Sequence, residues 1–159
     1  MGFTRMHIDY LCDHPPLIEE LAALHFKEWG QFRPGQTVEN RIEHMRASCG
    51  KGAIPSVVVA LDGSRLLGGA LLLENDLKLR PNLTPWLAGV YVIAQERGRG
   101  VASQLVKRVV EEAATLGVRE LYLYTDASQA LYARLGWEVI EDLLYDDLPV
   151  TVMKFVIQR

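Results

Sequence analysis

Gln95-Glu96-Arg97-Gly98-Arg99-Gly100-Val101-Ala102 is the stretch on which the reading of this chain turns. It follows a nearly continuous apolar run over residues 86–93, the pattern of a strand covered on both faces. It opens a segment in which Val101, Leu105, Val109, Ala113 and Leu116 recur at helical spacing. The unit is therefore strand, glycine turn, helix. Small residues at 98, 100 and 102 let a ligand approach the backbone closely. The first turn of a helix leaves N–H groups without partners, and such groups bind anions. The charges agree. A helix start ordinarily carries Asp or Glu against its dipole, whereas Arg97 and Arg99 stand here and no acid occurs from 97 to 105. Alone, a cationic helix start costs roughly 0.3–1 kcal/mol; a phosphate or pyrophosphate makes it favourable. Without a ligand, the same residues are a tight turn with two solvated arginines.

Outward from this turn the pattern continues in both directions. Gly117 stops the helix, and residues 119–124 form a strand that pairs parallel with 86–93 through a right-handed crossover. Asp126 or Thr125 caps a short helix carrying Ala127, Leu131 and Leu135, which Gly136 ends. Residues 137–141 and 150–157 are the last strands, separated by an acidic connection. Upstream, residues 6–10 alternate as a strand, and Pro15 and Pro16 open a helix carrying Leu17, Leu21 and Leu24 as far as Gly30. Residues 31–36 are a loop. Thr37 caps a second helix with Val38, Ile42, Met45 and Cys49 on one face. Residues 56–61 and 66–73 form a hairpin around Asp62-Gly63, and 74–85 is a proline-bearing loop. The predicted order is β-α-α-β-β-β-α-β-α-β-β in a mixed sheet.

Composition bounds the function. The 159 residues are 49% hydrophobic and 23% charged, which fits one globular domain over 1–159 and excludes a disordered chain. The net charge of −3 gives no bulk attraction to nucleic acid or anionic membrane. No apolar run reaches about 18 residues, and the amino terminus lacks a signal-peptide core. Gly2 follows Met1, but the myristoylation pattern lacks its Ser or Thr. Asn82-Leu83-Thr84 matches a glycosylation sequon, which carries no weight without a secretory route. Cys12 and Cys49 suit a reducing, cytoplasmic compartment as two free thiols, with one bridge between them the alternative, and neither has an activating context. His7, His14, His25 and His44 show no metal spacing.

Two nucleotide motifs fail against the turn. A P-loop ends in Gly-Lys-Ser/Thr, whereas Gly63 to Gly69 is followed by Ala70. The dinucleotide fingerprint begins well at Gly98-Arg99-Gly100 but meets Ser103 at its third glycine. What the stretch does resemble is the Q/R-x-x-G-x-G/A motif of the GCN5-related N-acetyltransferases, carried by Gln95, Gly98 and Gly100. Residues 121–137 resemble the same family's strand, short helix and Y-x-x-L-G-F/W ending, with Tyr132, Leu135, Gly136 and Trp137 in place. Together the two motifs cover about residues 86–140, and the upstream element order fits as well.

The resemblance implies a mixed, mostly antiparallel sheet of about seven strands flanked by four helices. It implies acetyl-CoA as donor, a primary amine on a small molecule or peptide as acceptor, direct transfer in a ternary complex, and no metal. By analogy, the backbone of Arg97, Gly98, Arg99, Gly100, Val101 and Ala102 holds the pyrophosphate. Val90, Tyr91 and Val92 pair with the pantetheine arm, and Ser128 and Tyr132 flank the thioester. Tyr132 is the implied general acid; as a bare residue it is a buried phenol packed on Leu135.

Many members carry a carboxylate on the central strand as base, and residues 86–92 have none. The base is therefore unassigned among Glu28, Glu74, Asp76 and Asp126, each of which also reads as a solvated or capping residue. A weak base favours an amine of low pKa, such as a peptide amino terminus. It also leaves open a CoA-binding sensor with little turnover. Phe26 and Trp29 either wall the acceptor site or belong to the core. Glu141, Asp142, Asp146 and Asp147 either draw in a cationic acceptor or form a solvated loop. Exposed edge strands would allow a homodimer.

Overall fold

The computed structural model describes residues 5–157; the Gly2 reading lies outside them. Strand β1 (Met6–Tyr10) leads into helix α1 (Pro16–Trp29), and α2 (Val38–Ala47) follows. Thr37 caps α2 reciprocally: its Oγ1 accepts from Asn40 N–H, and Asn40 Oδ1 accepts from Thr37 N–H. Then come β2 (Ser56–Asp62), β3 (Arg65–Leu73), β4 (Trp86–Val92), α3 (Val101–Thr115), β5 (Glu120–Thr125), α4 (Gln129–Arg134), β6 (Glu138–Tyr145) and β7 (Leu148–Val156). One seven-stranded sheet runs β1-β2-β3-β4-β5-β7-β6. Its pairings are antiparallel except β4 with β5.

Strand alternation sends side chains to two faces. Helix α3 packs Val101, Leu105, Val106, Val109 and Ala113 on one face, against Val58, Leu67, Leu72, Leu87, Leu121 and Leu123. Helices α1 and α2 cover the other with Ile18, Leu21, Ala22 and Met45, against Val57, Val59, Leu61, Leu71 and Ala88. Each fully buried Val or Leu contributes about 1.5–3 kcal/mol, so neither face is dispensable.

Three expectations need correction. Leu116 is 39% exposed at the end of α3, because that residue leaves the helical stripe. The buried face of α1 is Ile18, Leu21, Ala22 and His25, rotated from the leucine stripe. The acidic connection shrinks to a hairpin turn at Asp146 and Asp147, both at positive φ (50° and 67°). Asp tolerates that conformation, and strand pairing extends to Tyr145 because Leu143 and Tyr145 pack inward on the Trp86 cluster.

Candidate active site

The opening lies between β4 and β5. These parallel strands share one register pair, Trp86 with Tyr122, and then diverge. Beyond it, the β5-facing backbone of β4 has no strand partner among the described residues along Ala88–Val92, which an extended ligand can use as a sheet edge. On its other side β4 carries a bulge against β3 at Gly89 and Val90. Gly89 has φ +56°, and a Cβ there would lie 2.5 Å from His25 Cε1. The bulge therefore turns Ala88 and Gly89 both toward α1 and returns Val90 and Val92 to the α3 face.

At the end of β4 the chain enters the glycine turn. Gly98 and Gly100 have φ +80° and +83°, and an added Cβ at either meets nothing within 4 Å. Gly100 is the N-cap of α3, no side chain caps the helix, and its first turn holds no acid. Gln104 N–H makes the first helical bond, to Gly100 O, so the N–H groups of Val101, Ala102 and Ser103 lie ahead of the ladder. These residues fit a diphosphate: open space, donors and a positive dipole end converge. An open depression of about 730 Å³, lined by Ile8, Arg99, Gly100, Gln104 and Arg108, extends along the helix from this point.

The arginines of the turn are more engaged than their charge alone suggests. Arg97 Nε donates to Val92 O at 2.8 Å, and its guanidinium lies over the Tyr91 ring. Glu96, only 7% exposed, pairs with Arg65 and with Arg99. This buried acid just ahead of the turn is not recognisable from the sequence. Its signal, one acid at the edge of a basic stretch, is indistinguishable from a surface residue. It fixes the turn against β3 and offsets part of the local positive charge.

Tyr132 lies on the α3 face of the opening, 7% exposed, with its ring edge-on to Trp137 at 6.1 Å. Its hydroxyl has no partner among the described residues, and burial pushes its pKa up to about 12. Ser128 is exposed at the N-cap of α4, where its N–H donates to Thr125 Oγ1 at 3.0 Å. Neither Thr125 nor Asp126 is therefore the cap: Ser128 stands at the N-cap with no side-chain cap bond, and Thr125 closes the turn before it.

A second cluster occupies the α1/α2 face. His25, Trp29 and Tyr91 form a triangle of rings with centroids 4.9 to 6.3 Å apart. His25 is buried and hydrogen-bonded to the Gly89 backbone; burial, with Arg41 nearby, lowers its pKa to about 3, so it is neutral. Beside this triangle, Asp76 is half-buried and faces Arg33 and Arg41. Burial pushes its carboxyl up to about 6 even though both arginines pull it down. Arg33 lies against the Tyr124 hydroxyl on β5, and Tyr124 packs edge-on against Tyr145. Among the four carboxylates considered for the base, Glu28, Glu74 and Asp126 are exposed; only Asp76 is drawn in. Trp29 walls this cluster. Glu141 pairs with Arg80, and Asp142 accepts from Thr151 at 2.8 Å, so neither is a free recruiting charge. Cys12 and Cys49 form no disulfide, and burial raises the Cys49 thiol rather than activating it. No helix among the described residues is long and apolar enough to cross a membrane.

The fold recurs among proteins of known structure. An aminoglycoside 6'-N-acetyltransferase solved with coenzyme A superposes at TM-score 0.75, covering 96% of this chain and 98% of that one at 18% identity. The yncA protein of Salmonella typhimurium, solved with its cofactor acetyl-CoA, superposes at TM-score 0.70, covering 98% and 95% at 18% identity. In sequence, N-alpha-acetyltransferase 30 of Schizosaccharomyces pombe is 29% identical over 83 residues, or 50% of this chain and 55% of that one. The chain thus spans about half the length of that relative. The model of the acetyltransferase (GNAT) family matches residues 18–137, a span that holds the glycine turn, the opening and both clusters. The chain belongs to the acetyltransferase (GNAT) family.

Proposed function

We propose that this protein moves an acetyl group from acetyl-CoA directly to a primary amine. The observation that carries the reading is the junction of two features: the β4–β5 divergence and the uncapped, acid-free start of α3 at its end. When bound, acetyl-CoA supplies a thioester carbonyl that an amine can attack. Backbone N–H groups of Val101, Ala102 and Ser103, with the open turn at Gly98 to Gly100, hold the diphosphate. The β5-facing edge of Val90, Tyr91 and Val92, where the Val92 carbonyl already accepts from Arg97, pairs with the pantetheine arm.

Asp76 is the base. With its carboxyl near 6, taking a proton from an α-amine near 8 is uphill by about 3 kcal/mol; from a lysine-like amine near 10.4 it is uphill by about 6. The site thus favours amines of low pKa. Tyr132 holds its proton on Oη on the opposite face. Complete transfer from a phenol near 12 to a thiolate near 8.5 costs about 5 kcal/mol, so the hydroxyl acts by hydrogen-bonding the departing sulfur. The lack of a carboxylate on β4 favours one other reading, a CoA-binding sensor, which steady turnover excludes.

Calorimetric titration of acetyl-CoA into the wild type and Gly100→Glu tests the reading. The wild type binds, and the variant, with an acid at the diphosphate position, loses at least tenfold in affinity. Equal affinity of the two would overturn the cradle.

A further inference from the structure

Around Asp76, on the α1/α2 side of the sheet, positive charge exceeds negative. Two guanidinium groups, Arg33 and Arg41, lie within electrostatic reach of one carboxylate, Asp76. Neither closes an ion pair with it. Among the described residues, Arg41 Nε is buried without a hydrogen-bond partner, and so is His25 Nε2 on the adjacent helix. Buried donors are nearly always paired in folded proteins, so an unpaired guanidinium N–H points to an acceptor that a ligand brings. His25 adds no charge to offset the arginines. The excess is local, because the chain as a whole carries −3. A planar guanidinium matches a carboxylate in geometry and charge.

Resting on the acetyl-transfer reading above, we propose that the acceptor is a free amino acid or close analogue, its carboxylate held by Arg41 and Arg33 and its amino group facing Asp76. The atoms balance. A C–N bond forms to the acetyl carbon, the C–S bond breaks with its electron pair going to sulfur, Asp76 takes the amine proton, and the sulfur leaves as a thiolate hydrogen-bonded by the Tyr132 hydroxyl and takes its proton from water. A polyamine meets the two arginines with like charge. An ordinary peptide amino terminus, although its amine is the easier to deprotonate, brings an amide where the carboxylate belongs.

The test compares three matched acceptors for each of the twenty protein amino acids: the free acid, its carboxamide and the decarboxylated amine. The rate of thiol release is followed with acetyl-CoA as donor, and acetyl-CoA binding is measured separately by calorimetry. At least one free amino acid exceeds its carboxamide and amine tenfold or more in kcat/KM. Arg41→Gln and Arg33→Gln each bring that ratio toward one, chiefly through KM, with acetyl-CoA affinity unchanged. Arg33 is exposed, so its variant still decides the question should Arg41→Gln fold poorly. Carboxamides or amines used as well as the acids, or no amino acid used by a protein that binds acetyl-CoA, overturns this inference alone. Absence of acetyl-CoA binding in the wild type overturns the acetyl-transfer reading with it.

Discussion

Asp76 and Tyr132 occupy opposite faces of one opening, and burial raises both, with opposite consequences. A raised carboxyl is a better base; a raised phenol is a poorer acid. As the proposed base, Asp76 acts in its ionised form, which grows as pH rises through about 6, so kcat/KM is expected to climb through that region and level above it. Asp76→Asn removes this limb and lowers the rate by about 10²–10⁴. Tyr132→Phe lowers kcat about tenfold or more with Tm and acetyl-CoA affinity near wild type, because the hydroxyl has no partner to lose among the described residues. Steady-state kinetics across about pH 5–9, a range that brackets the carboxyl's titration, checks both beside thermal denaturation. Tyr132 was legible in the sequence because it stands in a local motif. Asp76 was one of four equal carboxylates. What separates it from Glu28, Glu74 and Asp126 is cover supplied by residues remote in the chain, including Arg33, Arg41 and Tyr124.

At the scale of elements, β4 and the start of α3 set the geometry of the opening, and their glycines act differently. Gly89 sits at φ +56° with its Cβ direction blocked by His25 Cε1 at 2.5 Å and Leu71 Cδ1 at 2.9 Å. Gly98 sits at φ +80° in open space. Alanine at 98 thus bears only the left-handed penalty, about 1–2 kcal/mol. Alanine at 89 adds overpacking, for a total of about 2–5 kcal/mol. Urea unfolding of the two variants measures the difference, and equal losses would show that the bulge is not held by the His25 ring. The glycines at 98 and 100 were readable from spacing alone, since a turn between strand and helix is a local event. Gly89 lay unnoticed within an apolar run. A bulge depends on the register of the neighbouring strand, which no short window contains.

Across the whole molecule, the sheet separates two groups of residues: the glycine turn, α3 and Tyr132 on one face, and the His25 and Asp76 clusters under α1 and α2 on the other. The opening between β4 and β5 joins them. The buried clusters also shape stability against pH. His25 takes up a proton near 6.5 in the unfolded chain but only near 3 in the folded one, so its contribution is complete above 6.5 and falls on acidification. The loss is about 1.4 kcal/mol per pH unit, up to about 5 kcal/mol by pH 3. Asp76 has the opposite sign. It binds its proton near 6 when folded and near 3.8 when unfolded, so it stabilises the fold as pH falls across that interval. The two slopes oppose each other there. His25→Gln therefore gains stability relative to wild type as pH drops from about 6 to about 4, and Asp76→Asn loses it; urea midpoints at each pH read the result. The order of elements, the parallel unit across the glycine turn, the Thr37 cap and the position of Tyr132 all follow from the sequence, because periodicity, turn chemistry and capping act over a few neighbouring residues. The single register pair between β4 and β5, the bulge at Gly89, the burial of Glu96 and the assembly of Asp76 with Arg33 and Arg41 were decided only by tertiary structure. Burial and electrostatic environment are sums over groups that lie far apart in the chain and meet only once the two faces of the sheet are covered.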